Sequence, residues 1–431
     1  VLLWAAVAVL VSLGFFLAME FAERHYGGGP IIGHPGVRIP ELIFTPEAWP
    51  LMYVSMALMT VVFTWRQRFI AAGVAVGIDV VLVLVRLLFD ARTTLGTGPL
   101  WVMLACTVMA FTHRAGRERA LLLKGVGLGM LLIVARKTGN IWLLITATTR
   151  PTVLDEYLAA ADRALGNPSW LAGRLVEATG PVGSNVLHWV YSQLTVAAVA
   201  VAFYQLRHVA KERSFPRHHL VRTFLVIGLL GPAIYMIFPV VGPVFAFGPQ
   251  GGQWAVANLW PDVLPSVSAP QHLLFNDVTP RNCMPSLHTA WATAIFIHSR
   301  QASRVLRYAG TFWLVATLGA TLGFGFHYGV DIVAGVVFTL TIEAALRAQA
   351  YGWSRSGVQV VAYGATIFAA LLASYRYLPT EMAKHPGVFG PLILLASASV
   401  IYGYVRTTPK LRDPKTAPSP HLAAQPQPEM V

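Results

Sequence analysis

Residues 69–89 read Phe-Ile-Ala-Ala-Gly-Val-Ala-Val-Gly-Ile-Asp-Val-Val-Leu-Val-Leu-Val-Arg-Leu-Leu-Phe, with Asp79 and Arg86 as the sole ionisable groups. An α-helix rises about 1.5 Å per residue, so about 20 apolar residues cross the hydrocarbon core of a bilayer. This run is that long, and it has no polar face to turn toward water. The rest of the chain repeats the pattern. Of 431 residues, 55% are hydrophobic and 12% charged, and mean hydropathy is +0.59, more apolar than a soluble core requires. Apolar blocks stand near residues 1–21, 48–64, 69–89, 98–112, 120–149, 183–205, 223–247, 284–298, 308–326, 330–346, 358–375 and 388–405. The expected fold class is an all-α polytopic membrane protein with about twelve transmembrane helices. The first block is read as a retained span, because it is longer than the apolar core of a signal peptide and lacks a small-residue cleavage site.

The formal net charge of +13 comes from 32 Lys and Arg against 19 Asp and Glu. Its distribution decides its meaning. Arg66 and Arg68 follow the second block, Arg114, Arg117 and Arg119 the fourth, and Arg207, Lys211, Arg213 and Arg217 the sixth. Arg300, Arg304 and Arg307 follow the eighth, Arg347 and Arg355 the tenth, and Arg406, Lys410, Arg412 and Lys415 the twelfth. Every even-numbered block thus ends in a basic loop, which the positive-inside rule places in the cytoplasm together with both termini. The charge is topogenic, and no nucleic-acid partner is expected. Cys106 and Cys283 form neither a disulfide framework nor a metal-type spacing.

Three longer stretches fall on the opposite, extracytoplasmic side: 22–47, 150–182 and 248–283. In the second, Asp155, Glu156, Tyr157, Leu158, Asp162, Leu165 and Trp170 have the spacing of a short amphipathic helix at the interface. The third, rich in Gly, Pro, Gln and Asn, reads as a lid or access loop. The segment from Thr407 to Val431 reads as a disordered tail. Asp79 and Arg86, seven positions apart on one helical face, read as a buried ion pair.

The third stretch leads into Arg281-Asn282-Cys283-Met284-Pro285-Ser286-Leu287-His288. Pro285 suits a first helical turn, and a helix start offers free N–H groups and a positive dipole end to a phosphate, with Ser286 adding a hydroxyl. His288 then lies about one turn into the eighth span. The second motif is His327-Tyr328-Gly329-Val330-Asp331, between the ninth and tenth spans. Residues four apart share a helical face, so Asp331 can hold one ring nitrogen of His327 and leave the other to attack phosphorus. By topology both histidines reach the same membrane face. A metal site of two His and one Asp is the competing reading, but no further carboxylate or cysteine has convincing ligand spacing. No metal and no cofactor is expected.

Pro285-Ser286-Leu287-His288 resembles the second signature of the type 2 phosphatidic acid phosphatase superfamily, and His327 with Asp331 resembles the end of its third. Cys-Met-Pro-Ser-Leu-His at 283–288, His-Tyr-x-x-Asp-x-x-Ala-Gly at 327–335 and the Pro-rich element Phe238 to Pro243 are more specifically similar to the branch containing inositol phosphorylceramide synthases. Two parts of the superfamily pattern are missing. Its Lys-x6-Arg-Pro signature has no counterpart in Lys211, Arg217 and Arg222, and its Ser-Arg pair stands as Ala320-Thr321. Arg281 is the candidate replacement cation, with Arg376 a second candidate and Asn282 beside them, because Arg pairs bidentately with phosphate oxygens.

The resemblance implies a six-span lipid phosphatase/phosphotransferase core over residues 120–346. Residues 1–119 and 347–406 are then accessory membrane helices, and 407–431 the tail. It implies catalysis by His327 as nucleophile, Asp331 as its orienter and His288 as general acid, with phosphate held by Ser286, Asn282 and the arginines. The expected activity is transfer of a phosphate-linked headgroup between membrane lipids, or lipid and polyol, through a phosphohistidine at the extracytoplasmic face of a bacterial plasma membrane. Hydrolysis of a lipid or polyprenyl phosphate is the alternative within enzymes; a non-catalytic lipid transporter or binding protein is the alternative of another class.

Overall fold

A computed structural model describes residues 49–89, 95–247, 266–273 and 279–408, with Leu17, Glu20 and Phe21. The expected first span, most of the 248–283 loop and the tail from 409 lie outside the described residues. Those described form helices joined by turns, with one isolated bridge between Thr152 and His272. The helices of six residues or more are α1 (Trp49–Met59), α2 (Trp65–Leu88), α3 (Thr97–Thr112), α4 (Gly116–Thr149), α5 (Asp155–Asp162), α6 (Pro168–Ala178), α7 (Gly180–Ser192) and α8 (Leu194–Gln205). They continue with α9 (Leu220–Ile237), α10 (Leu287–Ser299), α11 (Arg304–Gly323), α12 (Gly329–Tyr351), α13 (Arg355–Tyr377), α14 (Pro379–Lys384) and α15 (Pro386–Thr407).

Six of these, α2, α9, α11, α12, α13 and α15, are long and apolar enough to cross a membrane, and the pair α7 and α8, bent by 55°, can make a seventh. The other expected spans correspond to helices that differ from a simple span for separate reasons. Those at 48–64 and 98–112 are short apolar helices. Helix α4 runs for 34 residues but carries Lys124, Arg136 and Lys137. Helix α10 has 13 residues, ten of them buried, so protein surrounds much of its surface.

Helix α12 is the central element: 72% of its most apolar window is buried, against 11% for α2. Its approach to α10 is close because Gly335 has no side chain, and a Cβ there would stand 2.6 Å from the Ser286 carbonyl oxygen. Helices α10 and α12 both begin at one end of the bundle, where the His288 and His327 rings face each other. Polar contacts at the other end include the Arg213–Glu118 ion pair and a hydrogen bond from Arg222 to Gln349. The first helices share a hydrophobic core with the rest: Met52, Met56, Met59 and Val102 belong to one cluster with Ala198, Val201, Ala290 and Phe338.

Two local expectations need correction. Asp79 accepts the Gly96 N–H at 2.8 Å, the Gly98 N–H at 2.7 Å and the Tyr53 O–H at 2.9 Å, so it ties α2 to the start of α3 and does not pair with Arg86. The short helix at 155–162 is not amphipathic in the expected sense, because its acids point inward. Asp155, Glu156 and Asp162 are all buried. Buried carboxylates need donors, and these find them in the backbone N–H groups of Val241, Gly242, Gln271 and Val330.

Candidate active site

Asp155 accepts the N–H groups of Val241 and Gly242 at 3.0 and 2.8 Å and the Tyr328 hydroxyl at 2.9 Å. Asp162 accepts the Val330 N–H at 3.0 Å, at the start of α12. Gly242 has φ +103 and would drive a Cβ to 2.3 Å from the Phe326 carbonyl oxygen, so the loop passes directly behind His327 only because the residue is glycine. The Ser169 hydroxyl donates to the His327 carbonyl at 2.7 Å. Helices α5 and α6 therefore form a hydrogen-bonded shelf beneath the loop that carries His327. Burial pushes the Asp155 carboxyl up to about 7 and that of Asp162 up to about 8.

On this shelf, His327 Nδ1 stands 3.1 Å from Asp331 Oδ2 and 3.1 Å from the Cys283 carbonyl oxygen. Both neighbours are acceptors, so Nδ1 carries the proton and Nε2 keeps its lone pair. Asp331 is fully buried and receives two further donors at Oδ2, the Cys283 thiol at 2.6 Å and the Tyr328 N–H at 3.2 Å. The His288 ring lies 6.4 Å from the His327 ring, centroid to centroid, at 60°. It stacks on Tyr191 at 4.0 Å with planes 16° apart, the Tyr191 hydroxyl lying 3.1 Å from His288 Nδ1. Phe326 and Trp291 complete an aromatic wall around the pair.

The two motifs thus meet in space, although 39 positions separate the histidines in sequence. The supporting residues depart from expectation. Pro285 lies outside α10, whose first residue is Leu287. Ser286 is its N-cap, buried, with Oγ accepting the Thr289 N–H at 3.3 Å and its N–H donating to the Asp331 carbonyl at 3.3 Å. Arg281 is fully buried and spends its guanidinium on the carbonyls of Arg150, Thr279 and Leu273, at 3.2, 2.7 and 2.6 Å. Those contacts describe a pin for the loop, not a free phosphate clamp. Arg376 covers the Tyr157 ring at 4.5 Å, on the α5 side of the shelf. Asn282 is half-buried between Arg281 and Cys283.

Helix α4, packed beside α9, carries a further cation, Arg136. The sequence offered a signal for it: Arg136-Lys137 interrupts an apolar block, and ionisable residues within such blocks lean toward function. An Arg-Pro pair does exist, at Arg150-Pro151, with Leu143 where the signature's lysine would stand. The Arg150 carbonyl receives Arg281, and its guanidinium donates to the Met236 carbonyl at 3.0 Å. Nothing in the sequence marked Tyr191.

Two groups have a spacing open to a metal ion: Cys283 with His327 and Asp331, and His218 with His298 and Glu343. In the first, the Cys283 thiol donates to Asp331 Oδ2 at 2.6 Å and His327 Nδ1 faces the Cys283 carbonyl and Asp331, so the three groups already satisfy one another. The second lies at the far end of the bundle. There the Leu220 N–H donates to Gln205 Oε1 at 2.9 Å, which turns the Gln205 amide nitrogen toward His298 Nδ1 at 2.9 Å. His298 must then carry its proton on Nε2, facing Glu343 Oε2 at 3.2 Å, where a metal would require a lone pair. Arg347 and Thr223 also donate to Glu343, at 2.7 and 2.6 Å. This cluster is a buried hydrogen-bonded clamp joining α8, α9, α10 and α12.

A histidine held by a buried aspartate, with a second histidine ring 6.4 Å away, thus stands at one end of a bundle of apolar helices. Comparison with known families supports a phosphatase/phosphotransferase type of enzyme: residues 156–345 match the model of the PAP2 superfamily. Residues 2–145 match a domain of unknown function (DUF5933). No curated protein and no solved structure matches the chain.

Proposed function

We propose that the protein is a lipid phosphotransferase working through a phosphohistidine on His327. The observation that carries this reading is the orientation of that ring: Nδ1 is tied to Asp331 at 3.1 Å, and the opposite nitrogen is left for phosphorus on the side of His288. The Nε2 lone pair attacks the phosphorus of a lipid phosphodiester as the bond to the leaving alcohol breaks, and His288 gives that oxygen a proton. The acceptor hydroxyl then loses its proton to His288 and attacks phosphorus, and the P–Nε2 bond breaks. Asp331 stabilises the imidazolium formed in between. N–H groups at the start of α10, the Ser286 hydroxyl and Arg136 would hold the developing charge.

Transfer is preferred to hydrolysis for two reasons. With Arg281 held by backbone carbonyls, that guanidinium is not free for phosphate, which suits a singly charged diester better than a doubly charged monoester. Tyr191, Trp291 and Phe326 also wall the histidines with apolar surface that disfavours water. The 283–288 motif supports the branch resembling inositol phosphorylceramide synthases. In the full proposal the chain has about twelve spans by the length rule, with 120–346 as catalytic core and 1–119 and 347–406 accessory. The alternation of basic loops supports an extracytoplasmic site and cytoplasmic termini.

Purified protein incubated with a lipid extract tests the reading. A new phospholipid formed without release of inorganic phosphate is the expected result. Phosphate release without a new lipid would make it a phosphatase, and neither product would remove the enzymatic reading of this site.

A further inference from the structure

At the end of the bundle away from the histidines, α2 and α3 enclose a groove of about 830 Å³. Its wall on α2 is Ile70, Val74, Ile78 and Leu82, four apart and so in one line along the helix. Opposite stand Val102, Ala105, Cys106 and Met109 of α3, where the small side chains of Ala105 and Cys106 leave the space open. From Ile70 to Leu82 the line is about 18 Å long at 1.5 Å per residue, slightly more than half of the ~30 Å hydrocarbon core. Its depth therefore matches one leaflet. Its volume falls in the ~300–1,000 Å³ range of small-molecule sites.

Polarity is confined to one mouth, formed by Thr64, Gln67, Arg114, Glu118 and Arg213. Glu118 is already paired with Arg213 at 2.9 Å, so the mouth keeps the charge of Arg114 in excess. The Arg114 side chain has no hydrogen-bond or ion-pair partner among the described residues. Helix α2 starts at this mouth behind a Thr64 and Gln67 capping box, and its dipole adds to the positive field. A long apolar slot with a positive rim is complementary to one molecule class, an acyl-chain lipid with a negative headgroup.

We propose that this groove holds one anionic phospholipid of the leaflet at the basic end of the bundle, a site separate from the one that contains His288 and His327. The lipid would fill the seam between α2 and α3 and link it through its phosphate to Arg114. The inference stands apart from the reaction proposed above, because none of its residues contributes to the histidine site.

Native mass spectrometry of the full chain, released from detergent with phosphatidylglycerol or phosphatidylcholine added, tests it. Wild type should retain one phosphatidylglycerol at least tenfold better than phosphatidylcholine. Arg114→Glu should remove that preference, and Ala105→Trp, which fills the slot from an exposed position, should lower retention of both lipids tenfold or more. Binding at the histidine site would respond to neither change. Equal retention of the two lipids by wild type, or undiminished retention by Ala105→Trp, would overturn the proposal. So would the absence of any retained lipid, which would mean that another part of the chain fills the slot.

Discussion

His327 Nδ1 and Asp331 Oδ2 stand 3.1 Å apart across one turn at the start of α12, and the carboxylate is wholly buried. A buried carboxylate that also receives the Tyr328 N–H and the Cys283 thiol is held in one orientation, so the ring it holds cannot rotate freely. Asp331→Asn keeps the shape but replaces an acceptor-only group with one that can also donate. Turnover should fall by about 10²–10⁴-fold with folding intact. Cys283→Ser, which keeps a donor to Asp331, should cost far less. Steady-state rates of both variants beside their melting temperatures make the comparison, and an Asn variant at wild-type rate would remove Asp331 from the mechanism.

Asp162 supplies a pH dependence of stability. Burial raises its carboxyl from the ordinary 3.8 to about 8, so the folded chain keeps a proton that the unfolded chain releases. The stability tied to that proton is complete below the unfolded value and is lost as pH rises through about 8. Melting temperature in detergent should therefore decline between pH 6 and pH 9. Asp162→Asn, neutral throughout, should show a flatter profile over the same window; an identical decline in the variant would assign the effect to other groups.

The membrane class and the meeting of the two histidine motifs were legible because each rests on a local rule: apolar run length for one, four-residue helical spacing for the other. Span lengths were not, since α10 is sheltered by protein and does not need to match the bilayer. The roles of Arg281 and the α5 acids were hidden for a different reason. Their partners are backbone groups of the 150–153, 239–242, 271–273 and 328–330 segments, far away in sequence, and no residue-type pattern marks a carbonyl as the destination of a guanidinium. Arg136 was visible as an oddity inside an apolar block, on the helix that packs beside α9.

The proposed sidedness rests on the basic loops and is tested with a membrane-impermeant thiol reagent. Both native cysteines are buried and should stay silent. A cysteine replacing Ser268, exposed at the histidine end, should be labelled in intact cells, whereas one replacing Ser303, exposed at the basic end, should be labelled only after permeabilisation. The opposite pattern would invert the topology and put the histidines in the cytoplasm.

Activity should survive exhaustive chelation and dialysis. His327 Nδ1 is committed to Asp331 and the Cys283 carbonyl, and the Cys283 thiol is a donor, so the first of the two metal-spaced groups lacks the free lone pairs of a ligand set. Complete loss of activity, restored by zinc alone, would reassign those residues as ligands.

The division of labour between the histidines is the sharpest consequence of the geometry. In the proposed mechanism His327, with Nδ1 tied to Asp331 and its far nitrogen free, is the nucleophile, while His288, stacked on Tyr191 and without a carboxylate partner among the described residues, is the acid. His327→Ala should abolish the covalent phosphoenzyme, since no other imidazole takes its place beside Asp331. His288→Ala should be about as damaging with a natural lipid donor, because an alkoxide leaving group needs protonation, worth typically 10²–10⁴-fold. A nitrophenyl phosphodiester leaves without much help. With that donor, trapped ³²P-labelled protein should reappear in His288→Ala and remain absent in His327→Ala. Label in His327→Ala and none in His288→Ala would mean that the nucleophile and the acid are exchanged.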